Sequence, residues 1–75
     1  MNTPHANLVS NRIWMGYSVC AAVGLSERAD RLPAYQLEWI GRLVEVGTLA
    51  SPAEIHDGNR EGARKFVLKA LFIDG

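Results

Sequence analysis

Apolar residues crowd the stretch from Ile13 to Leu25 so densely that a helical wheel leaves almost no polar face. Gly16, Cys20 and Gly24 form a stripe of small residues at i, i+4 and i+8, and Trp14, Met15, Val19 and Val23 fill the other directions. A helix apolar on every side belongs in an interior, and a small-residue stripe lets another backbone come close. Ile13, Met15, Tyr17 and Val19 also alternate with period two, as in a half-buried strand. Cys20-Ala21-Ala22 continues the helical pattern, so a helix is expected. Ser10 or Asn11 offers the side-chain acceptor that caps it, and Gly24 can end it in the left-handed conformation. Met1 to Val9 lack periodicity and read as a flexible N-terminal arm (residues 1–9), leaving residues 10–75 as a single helical domain.

Ser26 can open a short helix before Pro33, which disfavours helical geometry at Leu32 but suits the first position of a new helix. The next clear helix runs from about Pro33 to Val46. Tyr35, Leu37, Trp39, Ile40, Leu43, Val44 and Val46 cover most of its circumference, and Gly47 stops it. Such an arc exceeds the stripe of about 100° that one core face uses. This helix is expected to touch neighbours on two sides, with Glu38 and Arg42 paired at i, i+4. Ser51-Pro52-Ala53-Glu54 is a capping box, the sharpest start signal in the chain. After a pause at Asp57-Gly58-Asn59, a last helix runs to Phe72, with Ala63, Phe66, Val67, Ala70 and Leu71 on its apolar face. The expected fold is all-α, a compact bundle of four to five short helices. The alternative is a small α+β fold with a C-terminal strand at Leu71-Phe72-Ile73.

Size sharpens this picture. The chain has 75 residues, and a domain near that length buries only about 60% of the surface its unfolded chain exposes. It must pack well or borrow core from a partner. One cysteine allows no internal disulfide, which argues against a stapled secreted scaffold. The apolar run of 13 positions is too short for a transmembrane helix, which needs roughly 20. As a signal peptide it would follow a long, poorly basic n-region. A cytoplasmic protein is expected, with no membrane partner.

Chemistry-bearing residues are sparse. Cys20, His5 and His56 are scattered singly, without the tight spacing of a zinc site. Cys20 lies in the most apolar stretch, where a thiol packs rather than reacts. Glu54, His56 and Asp57 are near neighbours along the chain and do not converge on one helix face. No phosphate-binding glycine motif occurs. The expectation is a non-enzyme with no catalytic residues, cofactor or metal.

Binding is left. Val19 to Leu32 reads like the first half of a helix-turn-helix, with Cys20 four positions before Gly24 and apolar residues on either side of the glycine. The second half departs from the pattern: Asp30 and Pro33 stand where the recognition helix buries aliphatic residues. Eight basic against eight acidic residues also give no general attraction for phosphate. As a DNA-binding transcriptional regulator the chain would use Ser26, Arg28 and Arg31. The favoured expectation is a protein-binding module, a regulator, adaptor or inhibitor acting as a homo-oligomer such as a dimer. It would engage its partner through Trp39, Lys65, Leu68, Lys69 and Phe72, because aromatic side chains dominate binding hot spots. Trp14 and Trp39 are nevertheless expected more in the core than at an interface.

Overall fold

The computed structural model describes the backbone of residues 4–72 and the side chains of residues 11–72. It is all-α: α1 (Pro4–Ala22), α2 (Ser26–Arg31), α3 (Ala34–Glu45), a single 3-10 turn (Pro52–Glu54) and α4 (Arg60–Ala70). Among the described residues there is no strand. Leu71 and Phe72, part of the alternative C-terminal strand, form the turn that closes α4, and Ile73 lies outside the described residues. Helix α1 starts at Pro4, so most of the segment read as an arm is helical. Met1 to Thr3 are outside the described residues.

The glycines end the helices as their conformation permits. At Gly24 φ is +79°. The Gly24 N–H donates to the Ala21 carbonyl at 3.1 Å and the Leu25 N–H to the Cys20 carbonyl at 2.7 Å. This is a Schellman motif, which satisfies carbonyls that a helix end leaves orphaned. Gly47 repeats it after α3, with φ +82° and bonds from Gly47 to Val44 at 3.0 Å and from Thr48 to Leu43 at 2.9 Å. The expected capping box is formed, with Glu54 Oε1 accepting from the Ser51 backbone N–H at 3.1 Å. It opens only one 3-10 turn, because Ile55 returns to extended backbone.

Helices α1 and α3 run antiparallel and touch backbone to backbone. A Cβ built on Gly16 would collide with the Leu37 carbonyl oxygen and lie 2.8 Å from its carbon. One built on Gly41 would collide with the Arg12 carbonyl oxygen and lie 2.7 Å from its carbon. The small-residue stripe therefore does what its pattern suggests, with α3 supplying a glycine of its own. Arg12 crosses the same seam to Glu45, its Nε 2.9 Å from Oε1, and comes within 3.8 Å of Glu38. These pairs are exposed and contribute little to stability.

So close a seam dictates the core. Val19, Cys20, Val23, Leu25, Ala29, Leu37, Ile40, Leu49, Ala63, Val67 and Leu71 form one buried cluster that holds no aromatic residue. Trp14 and Trp39 correct the expectation of tryptophans in the core: they are 58% and 46% exposed. Phe66, placed on the apolar face of the last helix, is also exposed. Nor is α1 covered on every side, because Asn11, Trp14 and Ala21 face solvent opposite the seam.

Two polar contacts fix the remaining helices to α1. Tyr17 Oη donates to Asp30 Oδ1 at 2.8 Å, tying α2 down. Arg60 Nε donates to the Ala22 carbonyl at 3.2 Å, so a cation on α4 caps the negative end of α1. The approach to α4 is held by Asn59. Its Oδ1 accepts from the His56 N–H at 2.7 Å and its Nδ2 donates to the Glu54 carbonyl at 3.0 Å.

Candidate functional site

Helices α3 and α4 both pack on α1, while their own backbones stay further apart. Between them lies an open groove of about 310 Å³ lined by Trp39, Leu43, Phe66, Lys69, Ala70 and Phe72. The α3 wall follows from spacing. With Leu37, Ile40 and Gly41 committed to the core, the opposite face presents Tyr35, Trp39, Arg42 and Val46. Of these, Tyr35 and Val46 are 72% and 69% exposed. On α4, Ala63 and Val67 turn inward, leaving Phe66 and Lys69 on the flank nearest α3.

Phe72 closes one end of the groove in a costly way. It is 92% exposed, and its φ of +58° puts it in the left-handed region. A bulky side chain there costs about 1–2 kcal/mol, which glycine would avoid. The Phe72 N–H still closes the helix by donating to the Lys69 carbonyl at 3.0 Å.

The structure thus brings together Trp39, Lys69 and Phe72 of the residues expected to carry binding. Leu68 is half-buried against the core and does not line the groove. Lys65 is exposed one turn before Lys69, outside the lining. Sequence reasoning missed Leu43, Phe66 and Ala70 as lining residues. The available signal was that α3 has more apolar positions than one face can bury.

Ser26, Arg28 and Arg31 lie together on α2, a helix of six residues. Glu27, Arg28, Arg31 and Leu32 line an open depression of about 450 Å³, so a carboxylate shares the surface with the two arginines. Asp30 and Pro33, the positions a recognition helix would bury, are exposed, and Asp30 is bonded to Tyr17. That bond and the carboxylate's charge hold the Tyr17 proton and raise its pKa. Burial pushes the Cys20 thiol up to about 11, away from reactivity. His56 Nδ1 accepts from the Gly58 N–H at 3.0 Å, shaping its own turn. Among the described residues no three His, Cys, Asp or Glu side chains converge as metal ligands, and no helix is long and apolar enough to cross a membrane.

Comparison with family models, curated proteins and solved structures finds no match to this chain.

Proposed function

We propose that this protein is a non-catalytic binding module, a regulator, adaptor or inhibitor that works by docking another protein chain on the α3–α4 face. One observation carries the reading. Trp39, Phe66 and Phe72 are exposed aromatic side chains lining one groove, and Tyr35 and Val46 add exposed apolar surface to the solvent face of α3 and its C-cap. Scattered exposed hydrophobics are ordinary, whereas a contiguous apolar patch marks a surface made to be covered. Its aromatic content matches the composition of binding hot spots.

The test compares the wild-type chain with a Trp39→Ala/Phe66→Ala variant in affinity capture read by mass spectrometry. A partner retained by the first and lost by the second supports the reading, provided both give the same helical circular dichroism. Capture that is indifferent to the two aromatics refutes it. A gel shift with genomic fragments at moderate salt addresses DNA binding. A salt-sensitive complex lost in Arg28→Ala/Arg31→Ala would move the function to α2.

A further inference from the structure

The turn that leads into α4 holds chemistry that the groove does not use. Asp57-Gly58 places a side-chain carboxyl next to the peptide nitrogen of a residue without a Cβ. That nitrogen is held under an imidazole. The Gly58 N–H donates to His56 Nδ1 at 3.0 Å, and a Cβ built on Gly58 would lie 3.0 Å from His56 Cε1 and 3.1 Å from Nδ1. A peptide N–H only donates, so Nδ1 presents its lone pair and the ring proton sits on Nε2. A base within hydrogen-bond reach of the proton it removes is the geometric requirement for general-base catalysis. His56, Asp57 and Gly58 are all exposed, so water has access to the turn.

We infer that Asp57-Gly58 is a self-modification site at which His56 assists conversion of Asp57 to isoaspartate. The Gly58 nitrogen attacks Cγ of the protonated Asp57 carboxyl while its proton passes to His56 Nδ1. The N–Cγ bond forms. The Cγ–OH bond then breaks as His56 returns the proton to the departing hydroxyl, releasing water and leaving a succinimide ring. A second water cleaves the bond from the main-chain carbonyl to the nitrogen, and the backbone now runs through Cγ. Nothing is oxidised or reduced, and water is the only co-reactant. The extra backbone carbon falls inside the latch of α4. The His56 carbonyl accepts from the Asn59 N–H at 3.0 Å and from the Arg60 N–H at 2.8 Å. The His56 N–H donates to Asn59 Oδ1 at 2.7 Å. Each of these bonds spans Asp57, so isomerisation loosens the start of α4, a change timed by age rather than by a ligand.

The test incubates the full chain at neutral pH and physiological temperature. Its peptides are then read by electron-transfer fragmentation, which separates the two linkages at equal mass. His56→Asn keeps an acceptor for the Gly58 N–H, since an Asn side chain bonds the N–H two residues on, but it has no basic nitrogen. It should slow isoaspartate formation at residue 57 about tenfold, less than an enclosed enzyme base supplies. Asp57→Glu, which would need a larger ring, should abolish it. Asp74-Gly75, the same pair preceded by Ile73, should keep its rate in both variants. In urea wild type and His56→Asn should converge at residue 57, because the folded turn holds the imidazole there. Aged wild type should exchange the Asn59 and Arg60 amides faster than fresh protein, and unchanged exchange would refute the unlatching. Equal or faster isomerisation in His56→Asn would overturn the proposal, since the bond would then hold the turn without acting as a base. A His56 effect undiminished in urea would overturn the role of the fold. Absence of isoaspartate at residue 57 in aged wild type would overturn it outright.

Discussion

Replacing glycine by alanine should act with opposite sign at different places in this chain. At Gly62, on the exposed flank of α4, an added Cβ meets nothing within 4 Å. Alanine there should gain roughly 0.5–1 kcal/mol from helix propensity. At Gly16 and Gly41 the same atom strikes backbone, where no rotamer change gives relief, and lies 2.8 and 2.7 Å from a carbonyl carbon. Ordinary contact begins near 3.4 Å, so the helices must part by roughly an ångström. Overpacking of this kind costs about 1–3 kcal/mol, and a gap of that size forfeits up to half of the dispersion energy along the seam. After subtracting the propensity gain, about 1–2 kcal/mol should be lost at each site. A domain this size has only ~4–11 kcal/mol in total. Thermal unfolding followed by circular dichroism should show Tm falling by roughly 4–16 °C for Gly16→Ala or Gly41→Ala, and rising for Gly62→Ala. The double variant should lose less than the sum, because helices already parted by one Cβ accommodate the second. An unchanged Tm for Gly16→Ala would refute the backbone-to-backbone seam, and a fall for Gly62→Ala would refute the open space beside α4.

Four further outcomes are expected. Because burial raises the Cys20 pKa from 9.0 to about 11, the thiol's contribution is complete below pH 9 and is lost as pH climbs through 11. The stability difference between wild type and Cys20→Ala should shrink by about 2–3 kcal/mol over that window. Urea titrations at several pH values read it, and a constant difference would contradict it. Arg60→Met, which keeps the stem but removes the cap on the Ala22 carbonyl, should cost ~1 kcal/mol. The same change at Arg64 serves as the comparison in denaturant unfolding. Phe72→Gly should stabilise the fold by about 1 kcal/mol, seen as a higher urea midpoint with unchanged m. Asn59→Ala, which removes both loop bonds, should cost about 1–2 kcal/mol and speed amide exchange across 55–60.

The C-terminal ends of α1 and α3 were legible in the sequence because they depend on local chemistry, whereas the start of α1 was not: Ser10 and Asn11, read as its caps, lie inside the helix. Gly24, Gly47 and the Ser51-to-Glu54 box act through their own backbone, and each appears where the residue type requires. Which faces are buried was much less legible. From Ile13 to Leu25 almost every position is apolar, and the apolar arc of α3 is wider than one core face, so the pattern alone does not select which apolar residues go inside. Size selects it instead. Gly16 and Gly41 let the backbones meet, and a seam that close has room for Val19, Cys20 and Ile40 but not for Trp14 or Trp39. The largest hydrophobic side chains are therefore the ones left outside, the reverse of what hydrophobicity alone suggests. The same effect hid half of the candidate site. Phe66 looked like core and Leu68 like surface, whereas Phe66 is exposed and Leu68 packs partly against the core.

The two seam glycines are not opposite one another. Gly16 sits against Leu37 and Gly41 against Arg12, so the seam has two notches set diagonally. Sliding α3 one turn in one direction merges them at a single level and leaves a side chain wedged at the other crossing point. Sliding it the other way carries Gly16 to the start of α3, where Pro33 stands. Only one alignment seats both notches. For the folding search this acts as a two-pin lock, since chains that collapse with the helices one turn out of step cannot close the seam and separate again. Refolding after dilution from urea should accordingly show no slow phase beyond the one that a prolyl isomerase accelerates.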